Sequence, residues 1–347
     1  MVFTAIGIGI ASLLLGGLWS YALLIYAFGI IPLTELLFKP NPDNLNKAEL
    51  ELVKADRLYD LLLYLVVPVQ FGLVFLFAYQ VMSYDWLWWE LVGMTWAVGI
   101  CCGILGINVA HELGHRTKKY EQLLAKSLLL SSLYMHFFIE HNRGHHANVS
   151  TPDDPASARR GEVIFAFWSK SVWFSYLSAW KLENRRLRKK DLPVFSLQNE
   201  MLVYQLAQLG FIGLIYGIFG LQPMLLFLAA SGVGILLLET VNYIEHYGLQ
   251  REMTPYGRYE QVQPHHSWNS DHPVGRLLLF ELSRHSDHHH RAGRKFQTLR
   301  HIENTPQMPT GYPGMMVLAL LPPLWFAVMN PKVDRLHSSG DHNLAFS

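Results

Sequence analysis

Long stretches of uncharged, apolar residues dominate this 347-residue chain and constrain its fold more than any other feature. A membrane-spanning helix needs about 20 apolar residues, because a rise of about 1.5 Å per residue must cover a hydrocarbon core of about 30 Å. We therefore predict an all-α fold, a polytopic membrane helical bundle of about six transmembrane helices. The apolar runs behind this prediction are residues 2–38, 58–82, 89–110, 202–222 and 224–246.

Two of the apolar regions are irregular. The first has room for one complete span near residues 18–38, preceded by a shorter segment that is interrupted at Gly16 and Gly17. Residues 2–16 would reach only about 22 Å as a helix, so the sequence leaves open whether this region forms one span or two. Near the other end, residues 315–328 are apolar but interrupted by Pro322 and Pro323, which predicts a membrane-surface or docking element.

Lysine and arginine residues indicate the orientation of the spans. They collect in the connections after residue 38 and after residue 110 and within residues 181–190, whereas the connections around residues 83–90 and 223 contain none. Because cytoplasmic loops carry the excess of basic residues, we expect residues 111–200 and 247–335 to form a cytoplasmic, histidine-rich helical cap. We expect residues 1–347 to form a single membrane-embedded domain.

The charge and cysteine content exclude some functions. The net charge is about +1, so nothing in the composition indicates a nucleic-acid partner. The only cysteines, Cys101 and Cys102, are adjacent within an apolar run, so the chain has neither a disulfide framework nor a cysteine metal site.

Seventeen histidines are unusual, and nine of them lie in four short segments beside apolar runs. In the segment HELGH, two histidines have i, i+4 spacing, which places both imidazoles on one helix face. The segment EHNRGHH repeats this pair and adds a third imidazole, RHSDHHH has i, i+3 and i+4 spacing, and NYIEHYG holds one histidine at the end of the last long apolar run. The nine residues are His111, His115, His141, His145, His146, His246, His285, His288 and His289.

Nine imidazoles are too many for one metal ion and fit a pair of ions, with positions left for oxygen. Imidazole suits iron, copper and zinc, so the ligand type alone does not choose among them. Each ligating ring should donate its second N–H to an acceptor. Candidate acceptors near the ligands are Glu112, Glu140, Asp154, Glu245 and Asp287. Six other histidines break the helical spacing or lie among prolines and are expected either to support the ligands from behind or to be structural: His136, His265, His266, His272, His290 and His301.

Three other readings of the histidines remain open at this stage. A single H-E-x-x-H segment is typical of a zinc protease, but a mononuclear zinc site needs three protein ligands and would leave six histidines without a role. A metal transporter predicts ligands at mid-bilayer, whereas these histidines gather at one face. Solvated surface clusters would not show the periodic spacing.

The segments HELGH, EHNRGHH, NYIEHYG and RHSDHH, together with PHHSWNSDH and PTGYPG, resemble the characteristic segments of membrane alkane 1-monooxygenases over roughly residues 20–335. The resemblance implies that the nine histidines bind two non-haem iron ions. It also implies dioxygen as co-substrate, electrons from NADH through a reductase and rubredoxin, and medium-chain n-alkanes from the lipid bilayer as substrates. Single segments also resemble membrane desaturases and hydroxylases, so action on alkyl-aromatics or fatty acyl chains is the alternative.

An acidic electron carrier needs a basic surface to dock on. The chain has no cysteine quartet for a fused rubredoxin, so rubredoxin is expected as a separate protein or as a part outside this sequence. Candidate docking residues on the predicted cytoplasmic face are Arg116, Lys118, Arg185, Arg188, Lys189 and Arg294.

Overall fold

A computed structural model describes residues 1–338. Their regular secondary structure is helical, and the β-structure within this range is limited to two isolated bridges, Met253 with Tyr259 and Asn269 with Gln307. The prediction of an all-α membrane protein is confirmed. Five helices are long and apolar enough to cross a membrane: Gly17–Leu37, Leu58–Ser83, Trp88–Gly114, Glu200–Phe219 and Leu221–His246. Tyr312–Ala319 and Pro322–Ser338 are bent by 120° at a short break and could count as a sixth, broken span.

The N-terminal apolar region contains a short helix, Val2–Leu14, before the first full-length span. Gly16 and Gly17 lie between them with φ of 60° and 54°, which residues with a side chain rarely adopt, so the chain turns here. The span Gly17–Leu37 contains a 3₁₀ turn at Gly17–Tyr21 and a π-turn at Tyr26–Ile30.

Most of the remaining helices are short and carry the polar segments. The helix Lys47–Ala55 begins with a capping box, in which Asn46 and Glu49 each accept a hydrogen bond from the other's backbone N–H. The others are Lys119–Ser131, Phe137–Glu140, His146–Asn148, Ile164–Arg188, Pro273–Leu278 and His285–His290, with 3₁₀ turns at Pro264–His266 and Phe296–Thr298.

Two of the helical segments that carry histidines contain a π-helical portion. The span Trp88–Gly114 is α-helical over Trp88–Cys101, π-helical over Cys102–Ile107 and α-helical again over Asn108–Gly114. The EHNRGHH segment forms a π-helix at His141–His145 between two short α-helices. π-turns are rare and occur often at functional sites.

The chain divides into two compact units. The first contains residues 1–29, 57–142 and 176–238. Within it the span Trp88–Gly114 is deeply buried, and small residues allow it to approach Leu221–His246 closely: a Cβ on Gly99 would lie 2.5 Å from Val233, and one on Gly234 would lie 2.6 Å from Cys102. Small residues are typical of such contacts between membrane helices.

The second unit contains residues 30–56, 143–175 and the described chain from Glu239 onward. Here the buried carboxylate of Glu35 accepts a hydrogen bond from the backbone N–H of Gly275 at 2.8 Å and lies against Gly311, where any Cβ would collide with it. Glu35 therefore joins the PHHSWNSDHPVG and PTGYPG segments, which explains the glycines in both.

Candidate metal centre

Three of the predicted ligands meet in the first unit. His111 lies on the last turn of the span Trp88–Gly114, His115 follows that helix directly, and His141 comes from the first residue of the π-helix. Their ring centroids are 4.5 to 5.1 Å apart, and the Nε2 atoms of His115 and His141 are separated by 3.1 Å. One ligand atom of each can be chosen so that all three lie within 4.8 Å of one another.

Four further ligand candidates form a compact group in the second unit. His145, His246, His285 and His289 are all buried, and their ligand atoms lie within 4.8 Å of one another. The Nε2 atoms of His246 and His285 face each other at 3.2 Å. Three separate stretches of sequence thus contribute one or two residues each to one all-imidazole group.

The remaining two candidates lie beside this group. The rings of His146 and His288 are 5.1 Å apart, and His146 stacks on His289 at 4.4 Å. His288 is buried and His146 is partly exposed. All nine predicted ligands therefore belong to histidine groups, three in the first unit and six in the second.

The geometry of the imidazoles fits metal ions. Two ligand atoms that are each about 2.1 Å from one ion lie about 3.0 to 3.4 Å apart, which agrees with both Nε2–Nε2 separations. Neither ring nitrogen of the buried His289 has a hydrogen-bond partner within residues 1–338. A buried polar atom without a partner is costly, so an ion bound to one of these nitrogens would use a lone pair that the described protein leaves without a partner.

The protonation states of the rings also suit ligands. Burial, together with the neighbouring His145, lowers the pKa of His146 to about 3. Burial and the surrounding imidazoles lower the pKa of His289 well below its ordinary value. Both rings are therefore neutral at neutral pH and keep a lone pair for a metal ion.

Asp154 orients one of the ligand candidates. Its Oδ2 accepts a hydrogen bond from His145 Nδ1 at 2.9 Å and another from Ser157 Oγ at 2.6 Å, while its Oδ1 accepts from the backbone N–H of Ala156 at 3.1 Å. Burial by itself raises the pKa of Asp154, but the charge and hydrogen bond of His145 outweigh it, so the pKa is lowered overall. The ionised Asp154 therefore keeps the proton of His145 on Nδ1 and fixes the orientation of the ring, so that Nε2 is the nitrogen that can bind a metal ion.

The other candidate acceptors have different partners. Glu245 Oε2 is 3.1 Å from His285 Nε2, the nitrogen that also faces His246. The carbonyl oxygen of His266 accepts a hydrogen bond from His246 Nδ1 at 3.3 Å, so a backbone group takes the orienting role at this ring. That acceptor has no side-chain signature, and sequence analysis did not identify it.

Three predicted acceptors are engaged elsewhere or buried beside the ligands. Glu112 pairs with Arg116 at 2.6 Å. Asp287 Oδ2 accepts hydrogen bonds from Arg294 at 2.5 Å and from the backbone N–H of Arg300 at 2.9 Å. Glu140 is buried directly before His141.

The basic docking candidates differ in their exposure and partners. Lys118 is exposed and donates a hydrogen bond to the Tyr120 hydroxyl at 3.3 Å. Arg116 is buried and paired with Glu112 and Asp60, and Arg294 is paired with Asp287. In contrast, exposed basic residues line a groove of about 490 Å³ along the end of the helix Ile164–Arg188. Its lining residues are Lys181, Asn184, Arg185, Arg188 and Lys189.

A further group, Glu260, His265 and His266, also brings possible ligands within 4.8 Å of one another. His266 Nδ1 accepts a hydrogen bond from the backbone N–H of Gln263 at 2.9 Å, and its Nε2 donates to Glu260 at 3.1 Å. Both ring nitrogens of His266 are therefore occupied, which agrees with a structural role.

Comparison with known proteins shows the family of this chain. The family model described as fatty acid desaturase matches residues 86–319. Alkane 1-monooxygenase 1 of Pseudomonas aeruginosa is 43% identical over 94% of this chain and 86% of its own length. Alkane 1-monooxygenase of Pseudomonas putida is 40% identical over 94% of this chain and 81% of its own length. The xylene/toluene monooxygenase hydroxylase component XylM of Pseudomonas putida is 29% identical over 74% of this chain and 70% of its own length. The chain therefore belongs to the alkane 1-monooxygenases, within the fatty acid desaturase family.

Proposed function

We propose that this protein hydroxylates the terminal methyl group of medium-chain n-alkanes to 1-alkanols, with dioxygen as co-substrate and rubredoxin as electron donor. The observation that carries the proposal is the pair of all-imidazole groups whose facing nitrogens have the spacing of metal ligands, in a chain that is 43% identical to an alkane 1-monooxygenase. The reaction takes two electrons and two protons, because one oxygen atom enters the alkane and the other leaves as water.

The nine histidines are proposed to hold two iron ions. His145, His246, His285 and His289 would hold one ion, and His111, His115 and His141 would be ligands of the other. Support comes from chain continuity, because His141, His145 and His146 lie on one helical segment that runs from Phe137 to Asn148. When bound, non-haem iron supplies the dioxygen chemistry.

The protein's own part is to bind, orient and exclude water. Asp154 and the carbonyl of His266 hold two ligand rings in fixed orientations, and such partners typically matter nearly as much as the ligands. An n-alkane has no polar group, so its binding depends on apolar contacts worth about 0.8 kcal/mol per buried CH₂. The apolar spans next to the ligands suit a substrate that arrives through the lipid, in an inner membrane with the site toward the cytoplasm.

The basic groove is the proposed docking site for the acidic electron carrier. Lys181, Arg185, Arg188 and Lys189 are exposed, and none makes an ion pair within the described part of the chain. Their charge is therefore available to a partner, unlike that of Arg116 and Arg294. Exposed charges of this kind mainly accelerate encounter, and salt screens them.

The activity is tested by incubating membranes that contain the protein with octane, xylene or a fatty acyl substrate under ¹⁸O₂. We expect 1-octanol with one ¹⁸O atom as the main product. A benzyl alcohol or a new double bond as the main product would instead assign the alternative substrates. Elemental analysis of the anaerobically purified protein should give about two iron ions per chain, and a single zinc ion would overturn the proposal.

Two ligand variants separate this proposal from a zinc protease built on His111 and His115. His285→Ala and His246→Ala should each abolish hydroxylation and lower the iron content, because each removes an imidazole from the buried four-histidine group. If His285→Ala left both unchanged, the second unit would not take part in the metal centre.

The docking site is tested by charge reversal. The double variant R185E/R188E should weaken carrier binding and flatten its dependence on ionic strength, because both side chains are exposed and unpaired. The matched control is K39E/K47E, which reverses two exposed charges outside the groove. Equal carrier affinity in both double variants would contradict docking at the groove.

A further inference from the structure

Six rings in the first unit form a continuous line of contacts, which we term the ring chain. It begins at the ligand candidate His141 and ends on the helix Ile164–Arg188. Successive centroids are 4.7, 6.2, 4.3, 5.2 and 6.4 Å apart, close to the range of packed aromatic pairs. Its members in order are His141, Phe137, Tyr134, His136, Tyr176 and Trp180.

The outer end of the ring chain leads toward the basic groove. Tyr176, Trp180, Asn184 and Arg188 follow one another at intervals of four residues, so they lie along one stripe of the helix. Each interval advances about 6 Å along the axis. Trp180 is therefore one helical turn from Asn184, which lines the groove. The ring chain thus begins at a ligand candidate and ends beside the groove.

His136 is the member that packing alone does not explain. It is buried between Tyr134 and Tyr176, and its Nε2 has no hydrogen-bond partner within residues 1–338. Burial lowers the pKa of His136 to about 3, so the ring is neutral. A phenylalanine would fill this position without an unsatisfied nitrogen. The His136 ring contacts both tyrosines, with centroid separations of 4.3 Å to Tyr134 and 5.2 Å to Tyr176.

We propose that the ring chain is the path along which electrons pass from a carrier at the basic groove to the metal ligands. The identity of the electron carrier in this inference, and its position at the basic groove, rest on the proposed function. Electron tunnelling weakens exponentially with distance and weakens faster across gaps than through packed atoms, so six rings in contact favour this route. Each electron leaves the reduced carrier and arrives at the metal centre singly, and no bond on the ring chain forms or breaks.

The test uses a covalently attached donor, so that it does not depend on docking. An Arg188→Cys variant of the iron-loaded protein is labelled with a ruthenium photoreductant. Cys101 and Cys102 are buried, so the label goes to the new surface cysteine. A laser flash then injects one electron, and absorbance follows its arrival at the iron.

The ring variants are made in the labelled protein. Tyr176→Leu and Trp180→Leu should each lose most of the electron-transfer rate constant, whereas Tyr176→Phe keeps the ring and should keep most of the rate. The matched control is Trp173→Leu, which removes an exposed ring from the same helix outside the ring chain and should leave the rate unchanged. Iron content is measured for every variant, so a loss of metal is not mistaken for a loss of transfer.

Wild-type flash rates in both leucine variants, at wild-type iron content, would overturn the inference. If the leucine variants slowed only transfer from the natural carrier, the two rings would act in docking, which also overturns it. If charge reversal left carrier binding unchanged while the flash rates still depended on the rings, the proposed docking site would be wrong and the electron path would stand.

Discussion

Replacing Asp154 with asparagine changes the polarity of one atom at nearly constant shape and tests how the centre orients its ligands. In the wild type, Asp154 Oδ2 accepts hydrogen bonds from His145 and Ser157, and Oδ1 accepts one from Ala156. An asparagine in the same pose places its amide NH₂ opposite the Nδ1–H of His145. The ring then changes tautomer and moves its proton to Nε2, where a proton excludes a metal ion.

The alternative asparagine pose does not avoid the conflict, because its NH₂ then faces the backbone N–H of Ala156. Loss of such a partner typically weakens metal binding by about 10- to 100-fold, which corresponds to about 1.4 to 2.7 kcal/mol. The assay is a competitive titration of iron against a chelator of known affinity, with hydroxylation measured in parallel. Asp153→Asn is the matched control, since Asp153 is exposed. Iron affinity equal to that of the control would refute the orienting role of Asp154.

Two further predictions concern stability. His136→Phe should make the protein less sensitive to acid. Burial lowers the pKa of His136 to about 3 in the folded chain, so between pH 6.5 and pH 3 only the unfolded chain takes up a proton at this residue. The free energy of unfolding of the wild type should therefore fall by about 2 kcal/mol between pH 8 and pH 5 because of His136, and the variant should not show this loss. If the free energy of unfolding changed by the same amount in both proteins between pH 8 and pH 5, the lowered pKa of His136 would be contradicted. Gly99→Ala should cost about 1 to 3 kcal/mol, because its Cβ would lie 2.5 Å from Val233. Thermal unfolding in detergent compares it with Gly210→Ala, where the added carbon meets nothing within 4 Å, and equal midpoints would argue against the close helix contact.

The histidine groups were accessible from the sequence because helical periodicity is a local property. The i, i+4 pairs in HELGH and EHNRGHH predicted that imidazoles would share a face, and the rings of His111 and His115 are 5.0 Å apart. The apolar runs also predicted the spans, since hydrocarbon thickness sets their length directly. Both inferences need only neighbouring residues.

Features that depend on contacts between distant segments were not accessible. The partner of His246 is the main-chain carbonyl of His266, which any residue at that position would supply. The role of Glu35 depends on Gly275 and Gly311, more than two hundred residues away, although a carboxylate inside an apolar run was a signal worth following. The sequence also did not predict that Asp287 would pair with arginine, because its position next to His288 suggests a ligand partner.

The π-helical turn at Cys102–Ile107 makes the number of residues in its span as important as their identity. A π-turn holds about one residue more than an α-turn, so it amounts to a single inserted residue within the helix. The α-helical part of the span, Trp88–Cys101, has no such slack, so deleting one residue there would shorten the helix by only about 1.5 Å but rotate everything after it by about 100°. His111 would then be carried away from His141, so a change too small to alter membrane insertion would dismantle the histidine group of the first unit.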